Sequence, residues 1–288
     1  MAKPTVLVLG GSGCLGSAII RELASAGNDY IGTFSSNEIN TSRTSLRFTV
    51  GEDIGALLRG TMPDVIINSI VAKNRGVLPL SNSLASFQIN TLFPRQLARV
   101  SSLIGAKVLN ISTNAVFRGT KGEYCETSFP FPRDTYGLSK LLGESKSDNV
   151  HNIRFSFVPK KLTNAKKHRA LDWVLNATEI LPVTGFLNHA WNGLTEEMVA
   201  KLLVSVVNNQ ELLGALPPTL HLFSRDVITK FELYETLLEH YSLPQDMLVS
   251  GNSPHSQKLT LSSDYIEFLN RVWATAGFSK ILSFQELI

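Results

Sequence analysis

An α/β fold, a doubly wound parallel sheet followed by a smaller, irregular C-terminal lobe, is predicted by three observations. Short apolar runs alternate with helix-period segments through the first half of the 288 residues, the alternation that builds a parallel sheet with helices on both faces. A glycine cluster lies between the first such run and the first such segment. Past Val158 the texture changes to basic stretches and shorter elements separated by prolines.

Residues 5–9, Thr-Val-Leu-Val-Leu, are too short for a helix and end in glycines, which predicts a strand buried on both faces. Leu15, Ala18, Ile19, Leu23 and Ala26 then form a helical stripe that Gly27-Asn28 stops. Residues 30–34 read as strand, 54–59 as a short helix, and 65–68 as a buried strand introduced by Pro63-Asp64. Residues 83–103 read as one long helix with Pro94 kinking it. A strand at 107–112, a helix at 135–145 and a strand at 152–157 complete the pattern. Beyond them come Lys160-Lys161 and Lys166-Lys167-His168-Arg169, then breaks at Pro182, Gly193, Pro217-Pro218 and Pro244. Strands near 182–186 and 220–223 are expected to rejoin the first sheet.

Composition narrows the function classes. A chain that is 43% hydrophobic can bury a large core. Its formal charge of +3 is small and dispersed, which argues against nucleic acid as the main partner. No apolar run reaches the ~18 residues of a membrane span, and the N-terminus runs straight into a strand pattern, so a cytoplasmic protein without membrane association is expected. Two cysteines give no disulfide framework, and the six His show no ligand spacing with them, so no metal is expected.

The glycine cluster, Gly10-Gly-Ser-Gly-Cys-Leu-Gly16, sits where a strand meets a helix. Glycines there permit a tight turn and a close backbone approach to a pyrophosphate, which the helix N-terminus faces. This makes residues 1–157 a Rossmann-type NAD(P)-binding domain, with Gly10, Ser12, Gly13, Cys14, Leu15 and Gly16 as cofactor contacts and residues 158–288 as a substrate-binding lobe. At the end of the second strand, where an NAD site usually places a carboxylate for the ribose 2′-hydroxyl, the chain reads Gly32-Thr-Phe-Ser-Ser-Asn37. Without a carboxylate nothing repels a 2′-phosphate, and Ser35, Ser36 or Arg43 could hydrogen-bond it. NADP(H) is favoured, with NAD(H) the alternative.

Tyr136 and Lys140 form a Tyr-x-x-x-Lys pair about two dozen residues after Ser112-Thr113. On a helix, that spacing puts phenol and ammonium on one face, roughly 5–6 Å apart at Cβ. A Lys ammonium favours the phenolate of a Tyr whose ordinary pKa is near ~10. With Thr113 as a further hydroxyl, the three residues suit carbonyl reduction or alcohol oxidation.

Glycine turn, Asn-Ile-Ser-Thr strand end and Tyr-x-x-x-Lys, in that order, resemble the extended short-chain dehydrogenase/reductase superfamily. Within it, Ile111-Ser-Thr-Asn-Ala-Val-Phe-Arg-Gly-Thr-Lys-Gly-Glu-Tyr124, Tyr136-Gly-Leu-Ser-Lys140 and Gly143-Glu144 are similar to dTDP-4-dehydrorhamnose reductases and related sugar-nucleotide reductases. Asp64-Val-Ile-Ile-Asn68, Ile89-Asn90 and Ile153-Arg-Phe-Ser156 match further landmarks, and Leu171-Asp-Trp173, Ala190-Trp-Asn-Gly-Leu194 and His221-Leu-Phe-Ser224 resemble segments around the sugar. The resemblance implies that Thr113 holds a carbonyl oxygen, Tyr136 protonates it as hydride arrives from the nicotinamide, and Lys140 binds the nicotinamide ribose. It implies that Asn68 and the following Ser69, Ile70, Val71 and Ala72 line the cofactor channel and that Asn90 supports a proton relay to Lys140. Asn114, Ala115, Trp191 and Asn192 would meet a nucleotide-sugar substrate, and a homodimer is a common assembly of the superfamily.

The departures are informative. The family's usual Asp-Tyr after the Thr is Asn114-Ala115 here, and the Asp-Glu pair of the related dehydratases is missing, so neither acid nor base is present there for eliminating water. Reduction of a nucleotide-linked 4-keto-6-deoxysugar is the leading expectation. An epimerase remains an alternative. So does a non-catalytic NADP-binding subunit, because the regulatory subunit of methionine adenosyltransferase resembles these reductases.

Overall fold

The computed structural model describes residues 3–35, 44–72, 80–160 and 182–288. The N-terminal half contributes strands β1 (Val6–Leu9), β2 (Tyr30–Phe34), β3 (Ser45–Arg47), β4 (Val65–Asn68), β5 (Lys107–Ile111) and β6 (Val150–Arg154). The C-terminal half adds β7 (Phe157–Val158), β8 (Val183–Phe186), β9 (His189–Trp191), β10 (Leu194–Thr195), β11 (Thr219–His221), β12 (Ile228–Thr229), β13 (Leu248–Gly251) and β14 (Gln257–Lys258). Helices are α1 (Cys14–Ser25), α2 (Ile54–Thr61), α3 (Leu80–Phe87), α4 (Phe93–Ser102), α5 (Thr135–Leu142), α6 (Glu196–Val207), α7 (Gln210–Gly214), α8 (Lys230–His240), α9 (Ile266–Thr275) and α10 (Phe284–Leu287).

Seven strands form one sheet in the order β11-β6-β5-β4-β1-β2-β3, with every neighbouring pair parallel. This is the doubly wound order 3-2-1-4-5-6 extended by one strand, a Rossmann-type α/β fold. The apolar runs explain it. Along β1, Val6 and Val8 enter one core, where α1 and α6 pack, while Leu7 and Leu9 enter the opposite core with Ile54, Leu58 and Leu97. Alternate side chains point to opposite faces, so only a strand apolar at every position can be covered on both.

The predicted helix over 83–103 is divided. Regular α-helix ends at Phe87, Gln88–Leu92 form a single π turn, and α4 begins at Phe93. Pro94 explains the break: it has no N–H for the carbonyl of Asn90, four residues back, and its ring crowds that oxygen. The widened turn relieves the crowding. Pro94 therefore lies in the first turn of α4 rather than kinking a continuous helix.

Two further expectations change. The strand expected at 152–157 begins at Val150 and breaks after Arg154, and Phe157–Val158 pair instead with β10. β11 joins the central sheet beside β6, with His221 opposite Arg154, whereas β8 pairs with β13 outside it. A three-stranded sheet, β12-β9-β14, stands apart from the central sheet. Among the described residues no helix is long and apolar enough to cross a membrane.

Candidate active site

A cavity of about 1120 Å³ runs along the C-terminal ends of the central strands, lined by the glycine turn, the end of β2, the segments after β4 and β5, α5 and the β12-β9-β14 sheet. Its volume exceeds the upper end of the usual range for a single small-ligand site, roughly 1000 Å³.

At one wall, the turn after β1 is built for an anion. Gly10 has φ +79°, and a Cβ there would crowd Ser69 and Ile70 at 3.1 Å. A Cβ on Gly16 would lie 2.2 Å from the Gly10 carbonyl oxygen, so α1 reaches the turn only because Gly16 has none. The Gly10 N–H donates to Thr33 Oγ1 at 3.0 Å, tying the turn to β2. Gly13 precedes α1 with no side-chain cap and no acidic residue in the first turn, whereas Asp53, Asp134, Thr195, Asn209, Thr229 and Ser283 cap their helices. Uncapped N–H groups at a helix N-terminus attract a phosphate. Ser12, Cys14, Leu15, Ser35, Ser69 and Ile70 also line this part of the cavity.

Opposite lie Thr113, Tyr136 and Lys140, all lining the same cavity. Thr113, two residues past the end of β5, is extended and caps a short 3-10 turn, its Oγ1 accepting from Ala115 N at 3.1 Å. With that lone pair engaged, the hydroxyl proton can point at a ligand oxygen. α5 begins at a cap in which Asp134 Oδ1 accepts from Gly137 N at 2.7 Å. It lies close against the end of β5, because a Cβ on Gly137 would fall 2.2 Å from the Ala115 carbonyl oxygen.

Lys140 is buried, and its Nζ donates to the Ile111 carbonyl at 2.6 Å. Burial pushes its pKa down to about 8, and the nearby Glu144 carboxylate partly offsets that. Glu144 accepts from Ser112 Oγ at 2.7 Å and pairs with Arg154 through two hydrogen bonds of 2.8 and 2.6 Å.

Asn114, Ala115 and Trp191 face the cavity, and Asn114 Nδ2 donates to Ser156 Oγ at 3.2 Å and to the Leu259 carbonyl at 2.8 Å. Three other asparagines expected at the site do not line it. Asn68 donates to Asn110 Oδ1 at 3.0 Å and accepts from Ile70 N at 3.3 Å. Asn192 exchanges two hydrogen bonds with the backbone of Leu261. Asn90 makes the same double exchange with Ala72 and also donates to Ser139 Oγ at 3.0 Å. Buried amides need such partners; each of the three pins backbone segments behind the cavity wall. Ser36, Arg43, Leu171-Asp-Trp173 and Lys166-Lys167-His168-Arg169 lie outside the described residues.

Sequence reasoning missed Phe34, Phe48, Thr49, Ile89 and Ser112 on the cofactor side, and Phe157, His189, Lys230, Gln257 and Leu259 on the other. Apart from Ile89, which lies in the π turn, the first group sits at or just past strand ends and was findable from the β-α alternation. The second is placed by pairings distant in sequence, which no local pattern reports. Among the described residues lining the cavity are two lysines and a histidine and no carboxylate, and no group of His, Cys, Asp and Glu could hold a metal ion.

A dinucleotide fits the arrangement, from the carboxylate-free end of β2, past the glycine turn, to the segments after β4 and β5. The family model described as RmlD substrate binding domain matches residues 4–260. The methionine adenosyltransferase 2 subunit beta of Xenopus laevis is 23% identical over 252 residues, 84% of this chain and 73% of its own length. The dTDP-4-dehydrorhamnose reductase of Burkholderia thailandensis is 30% identical over 140 residues, 48% of this chain and 44% of its own. In fold, the chain resembles the crystal structure of dTDP-4-dehydrorhamnose reductase from Bacillus anthracis in complex with NADP, with a TM-score of 0.76 at 18% identity, covering 99% of this chain and 97% of the other.

Proposed function

Because the chain belongs to the RmlD substrate-binding-domain family, of the extended short-chain dehydrogenase/reductase type, we propose that it is an NADP(H)-dependent reductase of a nucleotide-linked 4-keto-6-deoxysugar. One observation carries this reading: Thr113, Tyr136 and Lys140 share a cavity with an uncapped glycine turn, and none of its described lining residues is a carboxylate. The set supports proton donation to a carbonyl oxygen and leaves elimination without an acid/base pair. It also supports NADP(H) over NAD(H), since no described carboxylate faces a 2′-phosphate.

Bound NADPH would supply the hydride. Thr113 Oγ1, already accepting from Ala115 N, donates a hydrogen bond to the keto oxygen and orients it, keeping its own proton. Tyr136 Oη gives that oxygen its proton. Lys140, held through Nζ on the Ile111 carbonyl, keeps a positive charge beside the phenol and binds the ribose hydroxyls. Phe155, Phe157 and Trp191 cover the substrate side and exclude water.

The curated relative named as a beta subunit of methionine adenosyltransferase 2, matched over most of this chain, supports a second reading, an NADP-binding subunit without turnover. Purified protein with NADPH and a panel of dTDP- and UDP-4-keto-6-deoxysugars separates the two. Loss of the reduced-nicotinamide absorbance with one of them is the expected result. Tight NADPH binding with flat absorbance across the panel would replace the reductase by the binding subunit.

A further inference from the structure

Resting on the reductase reading, we propose that Lys230 is the anchor for the diphosphate of the nucleotide-linked substrate. The strand order lays the cavity out in sequence: the end of β2, the glycine turn after β1, the segment after β4, then Thr113 after β5. Two strand spacings, roughly 10 Å, separate the glycine turn from Thr113. Lys230 belongs to neither region. It opens α8, directly after β12, whose antiparallel pairing with β9 sets Ile228 opposite Trp191. The Leu259 carbonyl, just past β14 of the same small sheet, accepts from Asn114, the residue after Thr113. This sheet therefore walls the reacting centre on the side where the second reactant must lie.

The lysine is itself a built feature. Its Nζ lies 6.0 Å from the centroid of the Trp191 ring and 5.4 Å from that of Tyr234, two aromatic faces that attract a cation and limit where it can swing. The N-terminus of α8 is closed by a capping box of Thr229 and Glu232, so an anion here meets the ammonium rather than free N–H groups. Lys140, in the Tyr136 helix, is held on Ile111 on the side of the central sheet, whereas Lys230, the other lysine among the described lining residues, stands on the side of the small sheet. A diphosphate is the group of a sugar nucleotide that needs such a charge.

Calorimetric titration of the NADP⁺-loaded protein with UDP and with dTDP tests this. Wild type and Lys230→Arg are expected to bind one of them comparably, and Lys230→Gln at least about tenfold more weakly, the scale of one charge-assisted hydrogen bond. NADPH affinity should be unchanged in all three. Equal diphosphate affinity in Lys230→Gln, failure of Arg to restore it, a parallel fall in NADPH affinity, or no binding of either diphosphate to wild type each overturns the assignment. The reductase reading is judged separately, by turnover of the keto-sugar panel. Turnover with an unaltered KM in Lys230→Gln removes Lys230 and keeps the reductase; charge-dependent diphosphate binding without turnover keeps Lys230 and removes the reductase.

Discussion

Lys140 Nζ donates to the Ile111 carbonyl at 2.6 Å, so the proposed catalytic helix is fastened to the strand that ends two residues before Thr113. The bond uses one of three ammonium protons and leaves the others for a ribose. It also makes the site pH-sensitive. Burial lowers the Lys140 pKa to about 8, so the ammonium is present below that pH and lost as pH rises through it. NADPH-driven reduction should hold below about pH 8 and fall above it. Lys140→Arg, whose guanidinium does not titrate there, should turn over more slowly but show no fall between pH 7 and 10. A wild-type rate flat across that range would remove the Lys140 proton from the mechanism.

Tyr136→Phe deletes the one hydroxyl proposed to protonate the substrate while keeping the ring. Turnover should drop by about 10²–10⁴-fold, the usual scale for general acid catalysis. NADPH affinity, measured by fluorescence titration, should stay within about twofold. Comparable turnover in this variant would take Tyr136 out of the reaction.

How much of this was legible in sequence depends on how local each signal is. The glycine turn, β1, β2 and β4 were readable because an apolar run, a breaker and a helical stripe lie within two dozen residues. The π turn was half legible: Pro94 announced a disturbance, but whether the chain kinks or widens there is decided by packing around the Asn90 carbonyl, which a Cβ on Gly143 would approach to 1.9 Å. Asn68, Asn90 and Asn192 read as site residues because they are polar at the right positions. Nothing local shows that Ile70, Ala72 and Leu261 backbone groups already satisfy them. Lys230 was invisible for a related reason: it meets the cavity through a β12–β9 pairing about forty residues apart in sequence.

Glu144 and Arg154 make a buried pair beneath the Ser112-Thr113 strand end, with side chains 10% and 6% exposed. Removing one partner leaves the other charge unpaired, which typically costs about 3–5 kcal/mol. Glu144→Ala should therefore lower the unfolding free energy by that order in urea titrations and loosen Ser112, which donates to Glu144. The double variant Glu144→Leu/Arg154→Met should recover most of the loss, since no charge remains to desolvate. A double variant no more stable than Glu144→Ala would show that the pair acts through more than its charges.

Gly137→Ala sets helix propensity against packing. In an exposed helix interior the change would stabilise by about 1 kcal/mol. Here the added Cβ would stand 2.2 Å from the Ala115 carbonyl oxygen, a backbone atom that cannot swing aside. α5 must retreat from the strand end, carrying Tyr136 away from Thr113. The variant should melt several degrees lower, the shift about 1–2 kcal/mol produces in a chain this size. Its kcat should fall at least about tenfold, while NADPH affinity suffers less because the glycine turn is untouched. A variant with raised melting temperature and full turnover would show that α5 does not need the close approach, and the placement of Tyr136 by Gly137 would have to be abandoned.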